Sequence, residues 1–400
     1  MSQNHDPLND VVAAQYERWA YPATTVDVIN NPATELTQDV RKLLPVYWPT
    51  GTPPIQNILV AGCGTNLAAC IAHQFPQSRV TGIDISAACL AHEEFLKRKH
   101  KLDNLILVRL PIEEAHLLKQ EFDLISAYGV LHHLENPVAG LQALGRVLRT
   151  DGVIAAGIYS PYGRQGIYML QDLCRRLGLE QTAEGIAAAR EIIASLNASH
   201  SAINYFRLAL EPDDDAVIVD TLLHRRDRPF TVTECVKLIA DAGLAFQGWD
   251  EPALYYPEVF VPSGGQLSRK FYQLEGVELW QAMELYLGCI SIHRFHVCRT
   301  DRNPRTYRIQ FADNNCLDYV PSRQHGLIVE NVAGLTVRRK IHRPGLPPIF
   351  LDEPQSRCFD RIDGAKTVRE CLDEAWTIDA ARSFMRSLWR AGALTFRIII

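Results

Sequence analysis

The sequence predicts an α/β fold with a mostly parallel sheet, and three observations predict it. From residue 57 to 158, apolar β-rich runs alternate with helical stretches. The first run, Ile58-Leu59-Val60, breaks at once into four small residues, Ala61, Gly62, Cys63 and Gly64, and a helical stretch follows from Asn66 to Phe75. The second run ends on an acid, Asp84, twenty residues past Gly64. A strand that turns into a helix through small residues brings bare backbone N–H groups and a positive helix end to one point. In an open parallel sheet that point lies at the carboxyl end of the strand, where ligands bind.

Each element has its own reason. Strands are expected over 57–60, 79–83, 105–109, 122–128 and 152–159, with helices near 67–75, 87–100, 113–119 and 137–148. The last helix carries Val138, Leu141, Leu144, Val147 and Leu148 at helical spacing, a stripe suited to face a sheet. Residues 160–228 are rich in Ala, Leu and Arg and read as an all-helical cap inserted after the fifth strand. Thr231 with Glu234 three residues on predicts a capping box opening a helix to about residue 245. Strands are then expected over 244–249 and 289–299, with a helix over 266–287 between them. Ahead of the sheet, Val11 to Trp19 suits a short helix carrying Tyr16, with Tyr21 and Pro22 behind it, and 31–44 suits a second helix. Two readings of this segment stand: an amphipathic strip packed on the domain, or a lid whose aromatic side chains cover a ligand.

Composition sets the outer limits. The chain has 400 residues, more than one ordinary domain, and 47% hydrophobic residues, enough for a real core. A net charge of -5 argues against a dedicated nucleic-acid partner. The opening MSQNHDPLND has neither a basic nor an apolar stretch of a secretory leader, and no run of 18 apolar residues suggests a membrane span. The ten cysteines never form a C-x-x-C pair, so reduced thiols in a cytoplasmic protein are expected, with no metal site and no disulfide framework. The boundaries expected are an N-terminal segment over 1–50, a main domain over 51–299, and an accessory α+β domain over 300–400. The last begins where nine Lys/Arg meet four Asp/Glu across 299–343. Strand-like runs at 306–311 and 326–329 lie within it.

The turn and the acid belong together. A carboxylate about twenty residues past such a turn suits two ribose hydroxyls. A pyrophosphate would need G-x-G-x-x-G, with a third glycine for close helix packing, whereas this chain reads G-C-G-T-N-L. A ligand with a ribose but no pyrophosphate fits better.

With VAGCGTN, GIDIS, LPIEE, FDLISAYGVLHHLENP and LGRVLRTDGVIAAGIY in this order, residues 55–160 resemble the class I S-adenosylmethionine-dependent methyltransferases, most closely the bacterial small-molecule and quinone-biosynthesis type. The resemblance implies a Rossmann-like sheet of seven strands with the last antiparallel. It also implies S-adenosylmethionine as cofactor. Gly62 and Gly64 would approach the methionine part, Asp84 would hold the ribose, and Ile85 and Ile112 would sandwich the adenine, with Ala61, Cys63, Asn66 and Pro111 also among the cofactor-binding residues. Tyr128 would line the methyl channel. The family's third glycine is Asn66 here, and the acid usual after the third strand is replaced by Leu110-Pro111-Ile112-Glu113. Glu113 reads either as that acid's substitute or as a helix-start charge.

Methyl transfer from a sulfonium is an in-line displacement, for which a protein supplies alignment and exclusion of water. A base is needed only where the acceptor loses a proton. His132 and His133 stand where an acceptor would approach, as base candidates or as structural partners of loop backbone. Tyr159, Arg164 and Tyr168, with Tyr16 and Tyr21, are the candidate acceptor wall, Arg164 being suited to a carboxylate or phosphate. The polar stretch 222–232 is a second candidate wall. The acceptor class is a small molecule or a peptide. Residues 355–400, helix-helix-strand, are similar in pattern to small winged-helix peptide-binding domains, read either as a docking module or as a structural appendage. Two rivals remain: a nucleotide-dependent Rossmann enzyme, and a cofactor-binding partner protein without turnover.

Overall fold

The computed structural model describes residues 10–22, 24–28, 39–209, 214–332 and 339–399, with the side chains of 204 and 207–209 outside that description. Most of the helix expected over 31–44 lies outside the described residues. The chain divides into two compact units, Met1–Val40 with Ile55–Phe246 and Gly288–Thr300, and Arg41–Pro54 with Gln247–Leu287 and Asp301–Ile400.

The main sheet has seven strands: β1 Asn57–Ala61, β2 Arg79–Asp84, β3 Leu105–Arg109, β4 Phe122–Tyr128, β5 Leu148–Tyr159, β6 Leu244–Trp249 and β7 Ile292–Arg299. They lie in the order β3-β2-β1-β4-β5-β7-β6. β1 pairs in parallel with both β2 and β4, and β7 runs antiparallel to β5. Ile58, Leu59, Val60 and Ala61 are fully buried, as a central strand covered on both faces demands. The chain leaves β1 toward β2 on one side and re-enters at β4 on the other. The carboxyl end of β1 is therefore the sheet's switch point, where a crevice opens.

Helices α1 Val11–Arg18, α2 Leu67–Gln74, α3 Ala87–His100 and α4 Pro137–Arg146 precede the cap, which is built from α5 Gln165–Arg176, α6 Ala183–Ser195, α7 Ala202–Ala209 and α8 Asp215–Leu222. The cap has its own core of Ile167, Leu170, Ile186, Ala189, Ile218 and Leu222. α9 Val232–Asp241 opens with the expected capping box of Thr231 and Glu234. Several boundaries differ from expectation, among them the end of α9, at Asp241 and not near residue 245. The stretch read as a helix at 113–119 is a 3₁₀ run, Ile112–Leu118. α4 ends at Arg146, because Leu148 pairs with Phe122 and starts β5. The seventh strand begins at Ile292, not Cys289.

Beneath the turn after β1, Glu93 of α3 is fully buried, and its carboxylate accepts from Ala68 N and Ala69 N at 2.8 and 2.9 Å. Burial pushes its pKa up to about 8, although the two N–H bonds pull the other way. The folded value lies above the ordinary 4.5, so the stability Glu93 contributes is fully present below that value and is lost as pH rises through about 8. The slope is at most ~1.4 kcal/mol per pH unit. Glu93→Gln keeps an acceptor and removes the titration. It is expected to flatten the fall in urea-unfolding stability between about pH 5 and about pH 8.5. Equal slopes in the two proteins would clear Glu93 of that role.

In the second unit the expected single helix over 266–287 is two, α10 Gln266–Phe271 and α11 Gly276–Leu287, with Gly276 at a φ of +53° marking the break. The strand expected over 306–311 is absent; Pro304–Thr306 forms a 3₁₀ turn there. The strand read at 326–329 is β9 Ile328–Asn331, which joins β10 Arg339–His342 and β11 Ile349–Leu351 in a three-stranded sheet. Helices α12 Glu353–Asp360 and α13 Ile378–Arg390 enclose a core with Phe359, Phe384, Met385 and Leu388. The closing strand β12 Leu394–Arg397 pairs with β8 Val320–Arg323, so the strand partner comes from upstream of the helices and not from a wing hairpin beside them. Residues 41–54 and 247–287 join this unit, unlike the expected boundary. The reason is visible in hydrogen bonds to the backbone carbonyls of that stretch: Ile398 N donates to Pro49 O at 2.7 Å, and Gln247 Nε2 to Tyr47 O at 2.7 Å.

Candidate active site

The turn after β1 bends through Gly62 at φ +66° and Gly64 at φ +57°, values that favour glycine. Space excludes side chains there as well. A Cβ on Gly62 would stand 2.4 Å from Val130 Cγ2, and one on Gly64 would stand 2.9 Å from Tyr21 O. Asp84, at the end of β2, points back at this turn. Its Oδ2 accepts from Gly64 N at 2.8 Å and its Oδ1 from Ser86 N at 2.9 Å. Burial raises its pKa, with the bonds from Ser86 and Gly64 opposing. Each oxygen keeps a further lone pair for a ligand hydroxyl.

A cavity of about 880 Å³ opens here, wholly within the first unit, and lies within the ordinary range for ligand sites. Gly62, Cys63, Gly64, Asn66, Asp84, Ile85, Pro111, Ile112 and Tyr128 line it, as do Tyr16, Tyr21, Tyr159 and His133. Four sequence candidates do not. Ala61 is fully buried as the last residue of β1, and His132 is fully buried with neither ring nitrogen hydrogen-bonded among the described residues. Tyr168 is absent from the lining, and so is Arg164, the residue read as a handle for an acceptor anion. Arg164 is 2% exposed and turned inward. Its guanidinium lies 3.6 Å from Asp227 and 3.6 Å above the Tyr159 ring, and it hydrogen-bonds Tyr205 Oη. It props the Tyr159 ring from behind. Glu113 sits in the first turn of the 3₁₀ run and also lines the cavity.

The wall opposite the glycine turn holds residues that the sequence did not single out. Asp220 of α8 is 4% exposed, and its Oδ1 accepts from Tyr16 Oη at 2.9 Å. Tyr16 Oη also meets His224 Nε2 at 3.2 Å, and His224 stacks on His133 at 4.0 Å. Residue 226 ties the two imidazoles. Its N–H donates to His224 Nδ1 at 2.9 Å, and its carbonyl faces His133 Nδ1 at 2.9 Å. These bonds fix the tautomers. Nδ1 of His224 accepts, so its proton sits on Nε2 and is donated to Tyr16. Nδ1 of His133 donates, so the Nε2 lone pair is left. Burial holds His224 well below its ordinary pKa and Tyr16 well above its own, so both are neutral.

His133, Asp220 and His224 bring ligand atoms within 4.8 Å of one another, a spacing that suits a metal ion. The tautomers argue otherwise, because the Nε2 of His224 carries a proton while its Nδ1 lone pair is taken by a backbone N–H. The signal that could have found this corner was the stretch 222–232, which the sequence marks as a wall without saying which side chains turn inward.

Residues 59–154 match the family model described as a methyltransferase domain. The chain is 29% identical over 333 residues to an uncharacterized protein of Synechococcus sp., covering 79% of this chain and 76% of the relative. Among solved structures it is similar to PKMT2 from Rickettsia typhi, free and in complex with AdoHcy. Each likeness has a TM-score of 0.61 at 15% identity, covering 94% of this chain and 77% of that one. At that identity the likeness speaks for the fold.

Proposed function

The chain carries a methyltransferase domain in a class I methyltransferase fold, and from that premise we propose that it transfers the methyl group of S-adenosylmethionine to a small-molecule or peptide acceptor bound in the same cavity. The observation that carries the reading is the pairing of Asp84 with the Gly62–Gly64 turn at the sheet's switch point. The residues fit the cofactor. Asp84 would accept the two ribose hydroxyls, and the bare backbone of Gly62 and Gly64 would admit the methionine portion. Ile85 and Ile112 would flank the adenine, and Tyr128 would border the methyl channel. The cavity lining holds five carboxylates, Asp10, Asp84, Glu113, Glu135 and Asp220, against Arg226 and Arg294. That balance suits a cationic sulfonium and disfavours a strongly anionic acceptor.

Bound there, S-adenosylmethionine supplies an electrophilic methyl on sulfur. The chain's own work is to orient and to exclude water. Tyr16, Tyr21 and Tyr159 close the cavity against solvent. His133, with its Nδ1 proton committed to the carbonyl of residue 226, offers Nε2 to an acceptor that must lose a proton. Arg164 and Tyr168 are better read as supports of this wall than as acceptor contacts. All ten cysteines are free and nine are buried, which supports a reducing, cytoplasmic setting. Among the described residues no helix is long and apolar enough to cross a membrane. The second unit we read as an accessory module.

The test is incubation of the full chain with methyl-labelled cofactor and cell extract. Label is expected in a small-molecule or peptide fraction. Calorimetric binding of S-adenosylhomocysteine without any transfer would favour a partner protein that holds the cofactor without turnover, and absence of binding would end the reading.

A further inference from the structure

Segment 10–22 touches both halves of the cavity, and Tyr16 reaches both, through its carbonyl on one side and its hydroxyl on the other. On the cofactor side, Glu17 clamps the start of α3. Its two carboxylate oxygens accept from Ala87 N at 2.8 Å and Ala88 N at 3.1 Å, and Arg109 Nη2 bonds it at 2.7 Å. An acid at a helix N-terminus is favoured by the open N–H groups there. Ser86, whose N–H binds Asp84, donates its hydroxyl to Tyr16 O at 3.1 Å, and Thr65 Oγ1 donates to Pro22 O at 2.7 Å. On the opposite wall, Asp10 takes the Arg226 guanidinium at 3.0 and 3.0 Å. The Tyr16 hydroxyl stands between His224 and Asp220.

Without Tyr16, the Nε2 proton of His224 and one oxygen of Asp220 lose their partners inside the wall. A buried polar group left unpaired is costly, so the wall relaxes when the segment leaves. Residue 226 extends the dependence to His133, since its backbone holds both imidazoles and its side chain holds Asp10.

We propose that Tyr16 is a positioning residue that couples the two halves of the site: segment 10–22 is a lid latched by Glu17 beside the cofactor turn, and its docking completes the Asp220–His224–His133 wall that faces the acceptor. The proposal rests on the cofactor reading above. It makes acceptor-side order a consequence of lid docking, and a cofactor that holds the lid down thereby prepares the acceptor wall.

The experiment is hydrogen–deuterium exchange on the full chain, with and without S-adenosylhomocysteine, for the wild type, Glu17→Ala and Tyr16→Phe. The ligand is expected to slow exchange over both 11–18 and 215–224 in the wild type. Glu17→Ala is expected to speed exchange over both segments by about tenfold, which corresponds to ~1.4 kcal/mol. Tyr16→Phe should speed 215–224 alone, because the latch stays. In the labelled-cofactor assay with extract, Tyr16→Phe should lower turnover with the KM for S-adenosylmethionine unchanged. An unmoved 215–224 in Glu17→Ala overturns the coupling, as does a Tyr16→Phe variant in which that KM rises as turnover falls. Wild-type protein that fails to bind S-adenosylhomocysteine overturns the cofactor reading and the coupling together. Binding with an unresponsive 215–224 overturns the coupling alone.

Discussion

Asp84→Ala is expected to weaken S-adenosylhomocysteine binding at least about 100-fold, since each hydrogen bond to a charged acceptor is worth ~1.5–3 kcal/mol and two ribose hydroxyls would depend on this one carboxylate. The loss has a second source. Asp84 also receives the N–H groups of Gly64 and Ser86, so its removal frees the turn as well as the ligand. Asp84→Asn separates the two effects, because one oxygen survives. Titration calorimetry across pH supplies a further check. The accepting form is the carboxylate, and burial raises its pKa. Affinity should therefore fall as pH drops, beginning at a higher pH than an exposed aspartate would allow, and Asp84→Asn should lack that dependence. Wild-type affinity in the Ala variant would remove Asp84 from the site.

Arg164→Met is expected to cost ~3–5 kcal/mol of folding stability, the range for breaking a buried ion pair from one side. Arg164 and the Asp227 side chain are 2% and 1% exposed, so the substitution leaves a carboxylate buried with, among the described residues, Gln171 Nε2 at 3.0 Å to hold it. The Tyr159 ring also loses the guanidinium on which it rests. Adding Asp227→Asn removes the stranded charge and should return part of the loss, the sign that the pair and not the lost volume dominates. Urea unfolding followed by circular dichroism measures both variants. If the double variant is as unstable as Arg164→Met alone, packing is the cause.

Arg164 also marks where the sequence could be read and where it could not. Its position after the fifth strand was legible, and so was a cluster with Tyr159, Tyr168 and the later polar stretch. The direction of the side chain was not. A guanidinium at the lip of a pocket and one beneath its floor have the same local sequence. What differs is a carboxylate 63 residues on, Asp227, supplied by a chain that returns through four cap helices. The same holds for His132 and His133. As neighbours they are interchangeable on paper, yet one is sealed in the interior and the other lines the cavity with its tautomer set by the backbone of residue 226.

The sequence by itself determined the sheet and the cofactor turn. Those depend on short-range physics: buried strands need apolar runs, a tight strand-to-helix turn needs glycine, and a ribose acid needs a fixed spacing from that turn. β1 to β5, the capping box at Thr231 and the lining by Gly62, Gly64 and Asp84 follow from such local rules, whereas the lining by Ile85, Ile112 and Tyr128 was implied by the family resemblance. Only the tertiary structure decided the opposite wall. Asp10, Tyr16, Asp220, His224 and Arg226 meet across sequence separations of about two hundred residues. No local rule links them, because their partnership exists only once the cap and the N-terminal segment have packed against the same edge of the sheet.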